Sequence, residues 1–148
     1  WKYIILNSNL FYKNTTGNAK EHYAEEALNW LSFQLNSARS NRQKVLIFYH
    51  MPIGLRPTKR FARPDVAALW TPKSNTRFIN LIHQYSSSVK GIIHGHVHRK
   101  AFMMLQEDKT NHLPQYLVSS ISPIFGNNPT FSTFSYKKDK LTMKQVLL

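Results

Sequence analysis

Val89-Lys90-Gly91-Ile92-Ile93-His94-Gly95-His96-Val97-His98 runs from an apolar segment into a glycine and two spaced histidines. The run Val89 to Ile93 reads as a buried strand. In extended backbone, side chains at i and i+2 point to the same side. His96 and His98 are therefore expected to converge on one point, with Gly95 letting the backbone come close to whatever sits there. Neutral imidazole is the commonest protein ligand for first-row metals. A second apolar run, Val45-Leu46-Ile47-Phe48-Tyr49, ends in the same way on His50 before Met51-Pro52. His50, His96 and His98, at the ends of two strand-like runs, form a candidate metal site. A His-x-His pair by itself is common on surfaces and in cores, so the surrounding chain has to carry the reading.

Around these two runs the chain alternates strand and helix signals. Tyr3 to Leu6 reads as a first buried strand, followed by a polar loop to Asn18. Asn18, with Glu21 three residues on, is a plausible helix cap. Ala24, Ala27, Leu28, Leu31, Leu35 and Ala38 then form the stripe of an amphipathic helix from about Ala19 to Arg39. Trp30 and Phe33 flank that stripe and are expected to pack in the core. From His50 to Ser74 the sequence reads as a long loop with four of the seven prolines. It carries Arg56, Lys59, Arg60, Arg63 and Lys73 against only Asp65. Singly these are solvated surface residues, but together they make a positive rim that would attract a phosphorylated substrate. Phe78, Leu81, Ile82 and Tyr85 mark a second, shorter helix ended by Ser86-Ser87-Ser88. His83 lies beside its stripe and reads as structural. Strands are expected at Lys90 to His94, Ala101 to Leu105, Tyr116 to Ser119, Phe131 to Tyr136 and Leu141 to Leu148. Gln106 to Leu113 reads as a polar turn, and Lys137-Lys138-Asp139-Lys140 as a hairpin turn. Strand–helix–strand units imply parallel pairing, and ligands of such sheets sit beyond the C-terminal strand ends. All three histidines fall there.

The 148 residues are enough for one domain with a real core, and 42% apolar with 13% aromatic residues argues against a disordered chain. No stretch approaches the ~20 apolar residues of a membrane span. With no cysteine, disulfides and thiolate metal sites are excluded. Asn14-Thr15-Thr16 is a glycosylation sequon if the protein is secreted from a eukaryote. The chain opens on a strand already under way, which suggests that upstream sequence is missing. Lys and Arg total 20 against 7 Asp and Glu, a formal +13. That balance implies an anionic partner (a phosphate-bearing substrate, a membrane surface or nucleic acid) or compensating acids upstream. Aromatic–basic interleaving typical of RNA-binding motifs is lacking, so a nucleic-acid-binding module is the disfavoured alternative.

Four stretches resemble a calcineurin-like metallophosphoesterase, and within it the acid sphingomyelinase-like phosphodiesterase group. They are Leu6-Asn7-Ser8-Asn9; Asn29-Trp30-Leu31 leading to Val45 through Gly54 (VLIFYHMPIG); Gly95-His96-Val97-His98; and Ser122-Pro123-Ile124-Phe125-Gly126-Asn127-Asn128-Pro129. They span nearly the whole chain and match the C-terminal half of that domain. The resemblance implies an α/β fold: half of a four-layer sandwich, with strand–helix–strand units followed by mainly antiparallel strands. Residues 1–148 would be the C-terminal part of a single domain. It also implies two divalent ions (Zn, Mn, Fe or Co), with His50 and His96 on one and His98 on the other. The chemistry implied is phosphodiester hydrolysis by a metal-activated hydroxide attacking in line. A Ser/Thr or small-molecule phosphomonoesterase of the same superfamily is the alternative.

The family's Asp-x-His, Gly-Asp-x-x-Asp and Gly-Asn-His motifs, which supply the bridging carboxylate and the proton-donating histidine, are absent from this sequence. No catalytic residue is therefore assigned within it, and the missing N-terminal half becomes an expected partner. Lys100 stands where the group often has Asp, and the lack of cysteine departs from its disulfide-rich secreted members. The resemblance favours a secreted or periplasmic location. Alone, these residues are expected to bind metal weakly and to catalyse nothing.

Overall fold

The computed structural model describes residues 1–14, 18–54, 68–98, 100–106, 112–137 and 140–147. The elements run β1 (Lys2–Ile5), a 3-10 turn (Ser8–Phe11), α1 (Asn18–Ser40), β2 (Val45–Tyr49), α2 (Pro72–Gln84) and β3 (Val89–His94). Then follow β4 (Ala101–Gln106), β5 (His112–Leu117), β6 (Thr130–Lys137) and β7 (Lys140–Leu147). This is an α/β fold. A five-stranded mixed sheet has the order β1-β2-β3-β5-β4, and β6 and β7 form a separate antiparallel pair. β1, β2, β3 and β5 are parallel, while β4 runs antiparallel along β5.

Alternation along the strands sorts the sheet into two faces. Ile4, Val45, Ile47, Tyr49 and Ile92 share one core with Leu28, Leu31 and Leu35 of α1 and Phe78 and Ile82 of α2. Each such side chain contributes roughly 1.5–3 kcal/mol on leaving water. The two helices are tied to each other across their exposed sides by Lys73 to Glu21 and Glu25, and by Arg77 to Glu25 and Asn29. The β6–β7 hairpin lies against the opposite face. There Tyr3 and Tyr136 share a hydroxyl hydrogen bond of 2.6 Å, and the Tyr116 and Phe134 rings meet at 5.7 Å. Gly91 has no side chain where Leu141 rests: a Cβ at Gly91 would lie 2.9 Å from Leu141 Cδ2.

Several expectations change. β1 is an edge strand and only half buried: Ile4 and Leu6 face the core, but Tyr3 and Ile5 are exposed. The long loop does not extend to Ser74, because α2 begins at Pro72. Thr71 caps it by accepting from the Ser74 N–H, and Pro72 takes the first helical position, where its missing N–H costs nothing. Trp30 and Phe33 are not in the core; they are 46% and 69% exposed. At about 100° per residue, Phe33 falls nearly opposite the buried stripe. β5 starts at His112, four residues before the expected strand. The Asn18 side chain, Thr15 and Thr16 of the sequon, the basic cluster Arg56, Lys59, Arg60 and Arg63 with Asp65, the Glu107–Asn111 part of the polar turn, and Lys138-Asp139 lie outside the described residues. Among the described residues no helix is long and apolar enough to cross a membrane.

The two sides of α1 should respond differently to truncation. Leu31→Ala is expected to cost about 2–5 kcal/mol in urea unfolding, and Phe33→Ser to stay within about 0.5 kcal/mol. Equal costs would place Phe33 in a core.

Candidate metal-ligand site

The parallel register of β2 and β3 sets Tyr49 beside His94, so the two strands end at the same level. One residue later, the Gly95 N–H donates to the His50 carbonyl at 3.1 Å and prolongs the ladder by a step. The turn carrying His50 is fixed from three further sides. The buried Ser8 hydroxyl accepts the backbone N–H groups of His50 and Met51, at 3.2 and 2.9 Å. The Trp70 indole donates to the Met51 carbonyl at 2.9 Å, and Asn75 Oδ1 accepts the Gly54 N–H at 3.0 Å. With Met51, Pro52 and Ile53 buried, the exposed His50 ring stands on a rigid base.

On that base His50 Nε2 lies 3.3 Å from His96 Nδ1, with the rings nearly perpendicular. That is hydrogen-bonding distance, with the roles set by the ring tautomers, and it is also the separation of two nitrogens each about 2.0–2.1 Å from one tetrahedral ion. A methyl group at Gly95 would lie 3.8 Å from His50 Nδ1, an ordinary contact. The described neighbours therefore do not force glycine there.

His98 is placed differently. Gly95 to His98 is not extended: His96 has φ of 77° and His98 of 54°, both left-handed. The i, i+2 convergence expected of a strand therefore does not operate. His96 turns to His50, while the His98 ring packs at 4.8 Å against Phe125. His98 Nδ1 is buried with no hydrogen-bond partner among the described residues. Nor do any three His, Asp or Glu side chains among them gather into a metal-binding group. The described residues thus offer two converging imidazoles and a third on its own.

His94, one residue before Gly95, belongs to the core. It is 1% exposed, its ring stacks on Tyr49 at 5.3 Å, and burial pushes its pKa down to about 3. It is a neutral packing residue across the ordinary pH range. Tyr49, whose hydroxyl donates to Gln115 at 3.1 Å, is pushed up by the same burial. An open, mainly apolar hollow of about 440 Å³ adjoins His50, lined also by Ile5, Phe48, Ile93, Gly95 and Val118 among others. Ser8, Asn75 and Phe125 support this site without having been assigned to it from sequence. Only Ser8 carries a local signal, a hydroxyl residue just past a strand end.

No protein-family model matches the chain. Curated relatives do. The cyclic GMP-AMP phosphodiesterase of Rattus norvegicus is 29% identical over 153 residues, covering 97% of this chain and 33% of its own length. Sphingomyelinase phosphodiesterase D of Dictyostelium discoideum is 31% identical over 141 residues, 90% of this chain and 30% of its own length. The chain is homologous to the acid sphingomyelinase-like phosphodiesterases. Acid sphingomyelinase-like phosphodiesterase 3b of Mus musculus, 23% identical over 154 residues, adds a more distant member. All three relatives are named as phosphodiesterases, which are hydrolases. The chain spans about a third of the length of the relatives it matches.

The left-handed backbone at His96 carries a cost that glycine escapes. His96→Gly is expected to be more stable than His96→Ala by about 1 kcal/mol in denaturant unfolding, although both lose the imidazole. Equal stabilities would mean that residue 96 is not held at positive φ.

Proposed function

We propose that this chain is part of a metal-dependent phosphodiesterase. In this reading His50 and His96 hold one divalent ion and His98 holds a second. The carboxylate ligands and a proton-donating histidine come from residues outside these 148. Zn, Mn, Fe and Co all accept such imidazole ligands. The observation that carries the reading is the 3.3 Å approach of His50 Nε2 to His96 Nδ1 at the C-terminal ends of two parallel strands. The names of the homologues support the reaction class.

Divalent ions in such a centre supply electrophilic stabilisation of the phosphoryl group and activation of water near neutral pH. The chain's own contribution is positional. The pair brings one nitrogen of each ring to within 3.3 Å of the other. His50 is held through its backbone by Ser8 and through the turn that follows by Trp70 and Asn75. His96 is aimed by its left-handed backbone. Fixing ligands before the ion arrives limits what must be ordered on binding, and a misplacement of about 1 Å in such a site costs on the order of 10²-fold in rate.

In the whole protein, His96→Ala is expected to lower bound divalent metal, measured by elemental analysis, by one ion per chain or more. Hydrolysis of a chromogenic phosphodiester should fall on the order of 10²-fold or more. A variant that hydrolyses the diester at the parent rate, with unchanged metal content, would sink the reading. Ser8→Ala should weaken metal binding about 10-fold through the loosened His50 turn, with little change in the far-ultraviolet circular dichroism.

A further inference from the structure

Asn14-Thr15-Thr16 is the one Asn-x-Ser/Thr triplet of the chain without proline in the middle, since Asn128 meets Pro129 before Thr130. The structure holds its asparagine out on a fixed support. Tyr12 pairs with Trp70 as an isolated antiparallel bridge. On either side of it the Lys13 N–H donates to the Leu69 carbonyl, and the Thr71 N–H to the Phe11 carbonyl, both at 2.8 Å. The half-buried Tyr12 side chain packs against the main core. Asn14 follows in the turn and is exposed. Its Nδ2 donates to the Tyr12 hydroxyl at 3.1 Å. An exposed amide nitrogen thus lies beside an anchored aromatic residue, and the metal-ligand site uses neither.

We propose that Asn14 is an acceptor site for an N-linked glycan whose first sugar rests beside Tyr12. The triplet is what the transfer enzyme of the eukaryotic secretory pathway reads, and such glycans occupy surface turns. Transfer takes a lipid-pyrophosphate-linked oligosaccharide as donor. A bond forms from Asn14 Nδ2 to the anomeric carbon of the sugar. The bond from that carbon to the pyrophosphate oxygen breaks, the lipid pyrophosphate leaves, and the amide gives up one proton. The second amide hydrogen stays, so the glycosylated nitrogen can go on donating to the Tyr12 hydroxyl. That bond starts the sugar next to the ring, where its C–H face has an aromatic surface to cover. The inference rests on this turn alone and is independent of the phosphodiesterase reading.

The test directs the whole protein, behind a cleavable leader, into the secretory pathway of cultured eukaryotic cells and maps its glycans by mass spectrometry. Enzymatic release converts a glycan-bearing asparagine to aspartate, and that mass change should fall at Asn14. Thr16→Ala should lose this glycan, and Thr16→Ser should keep it. A protein whose leader has been cleaved but whose Asn14 is unmodified overturns the inference. So does a modification that survives in Thr16→Ala. For the contact with Tyr12, the glycan is trimmed to its first sugar and melting temperatures are compared. The trimmed protein should melt about 2 °C above Thr16→Ala. In a Tyr12→Leu background, which keeps an apolar side chain but no ring, that difference should vanish. Equal melting in the parent, or a difference that persists without the ring, overturns the contact.

Discussion

The register between β2 and β3 is the constraint on which the candidate site depends. Two parallel strands paired with Tyr49 beside His94 must end together, and the Gly95 N–H on the His50 carbonyl carries the pairing one residue into the turns. That single backbone hydrogen bond brings a histidine from position 50 beside one from position 96. A slip of one residue would turn every side chain of a strand to the other face. Either Ile47 of β2 or Ile92 of β3 would then leave the core, and the site geometry would be lost with it. The stability of the sheet and the spacing of the imidazoles are thus set by the same pairing.

Much of the fold was legible because its signals are periodic. The stripe from Ala24 to Ala38 gave α1 nearly to its ends, and the apolar runs at Val45 and Val89 gave two strands, since burial on both faces favours such runs. The signals that failed were local ones read too coarsely. Thr71-Pro72 is a helix start in chemical terms, a capping hydroxyl followed by a residue with no N–H to satisfy. It is submerged in a stretch rich in proline and basic residues. Trp30 and Phe33, being large and apolar, suggest burial, although their angular positions on the helix point away from the stripe. Size does not outweigh geometry on a helix surface.

The places of the histidines along the chain are legible in the sequence, but not how they sit relative to one another. The apolar runs correctly put His50 and His96 at neighbouring strand ends. The convergence of His96 with His98 was inferred from strand alternation, and the left-handed backbone at both residues removes that basis. Nothing in the spacing of Gly-His-Val-His distinguishes a continuing strand from a tight turn. The pinning of His50 by Ser8, 42 residues earlier in sequence, leaves no periodic trace, and its one local signal, a hydroxyl just past a strand end, does not name the partner.

The strand order β1-β2-β3-β5-β4 also bears on how the chain reaches this structure. β4 leaves the site directly after His98, yet its partner in the sheet is β5, which comes later in the chain and lies between β4 and β3. β4 and β5 can first form a hairpin by themselves, but that hairpin joins the sheet only through the parallel docking of β5 on β3. Parallel, non-local closures of this kind are slow compared with helix formation. That docking also sets Val118, whose N–H donates to the His94 carbonyl, beside the strand end that leads to His96. The site-bearing edge of β3 is therefore completed only when β5 docks, by a closure of shorter sequence span than the parallel pairings of β1 with β2 and of β2 with β3.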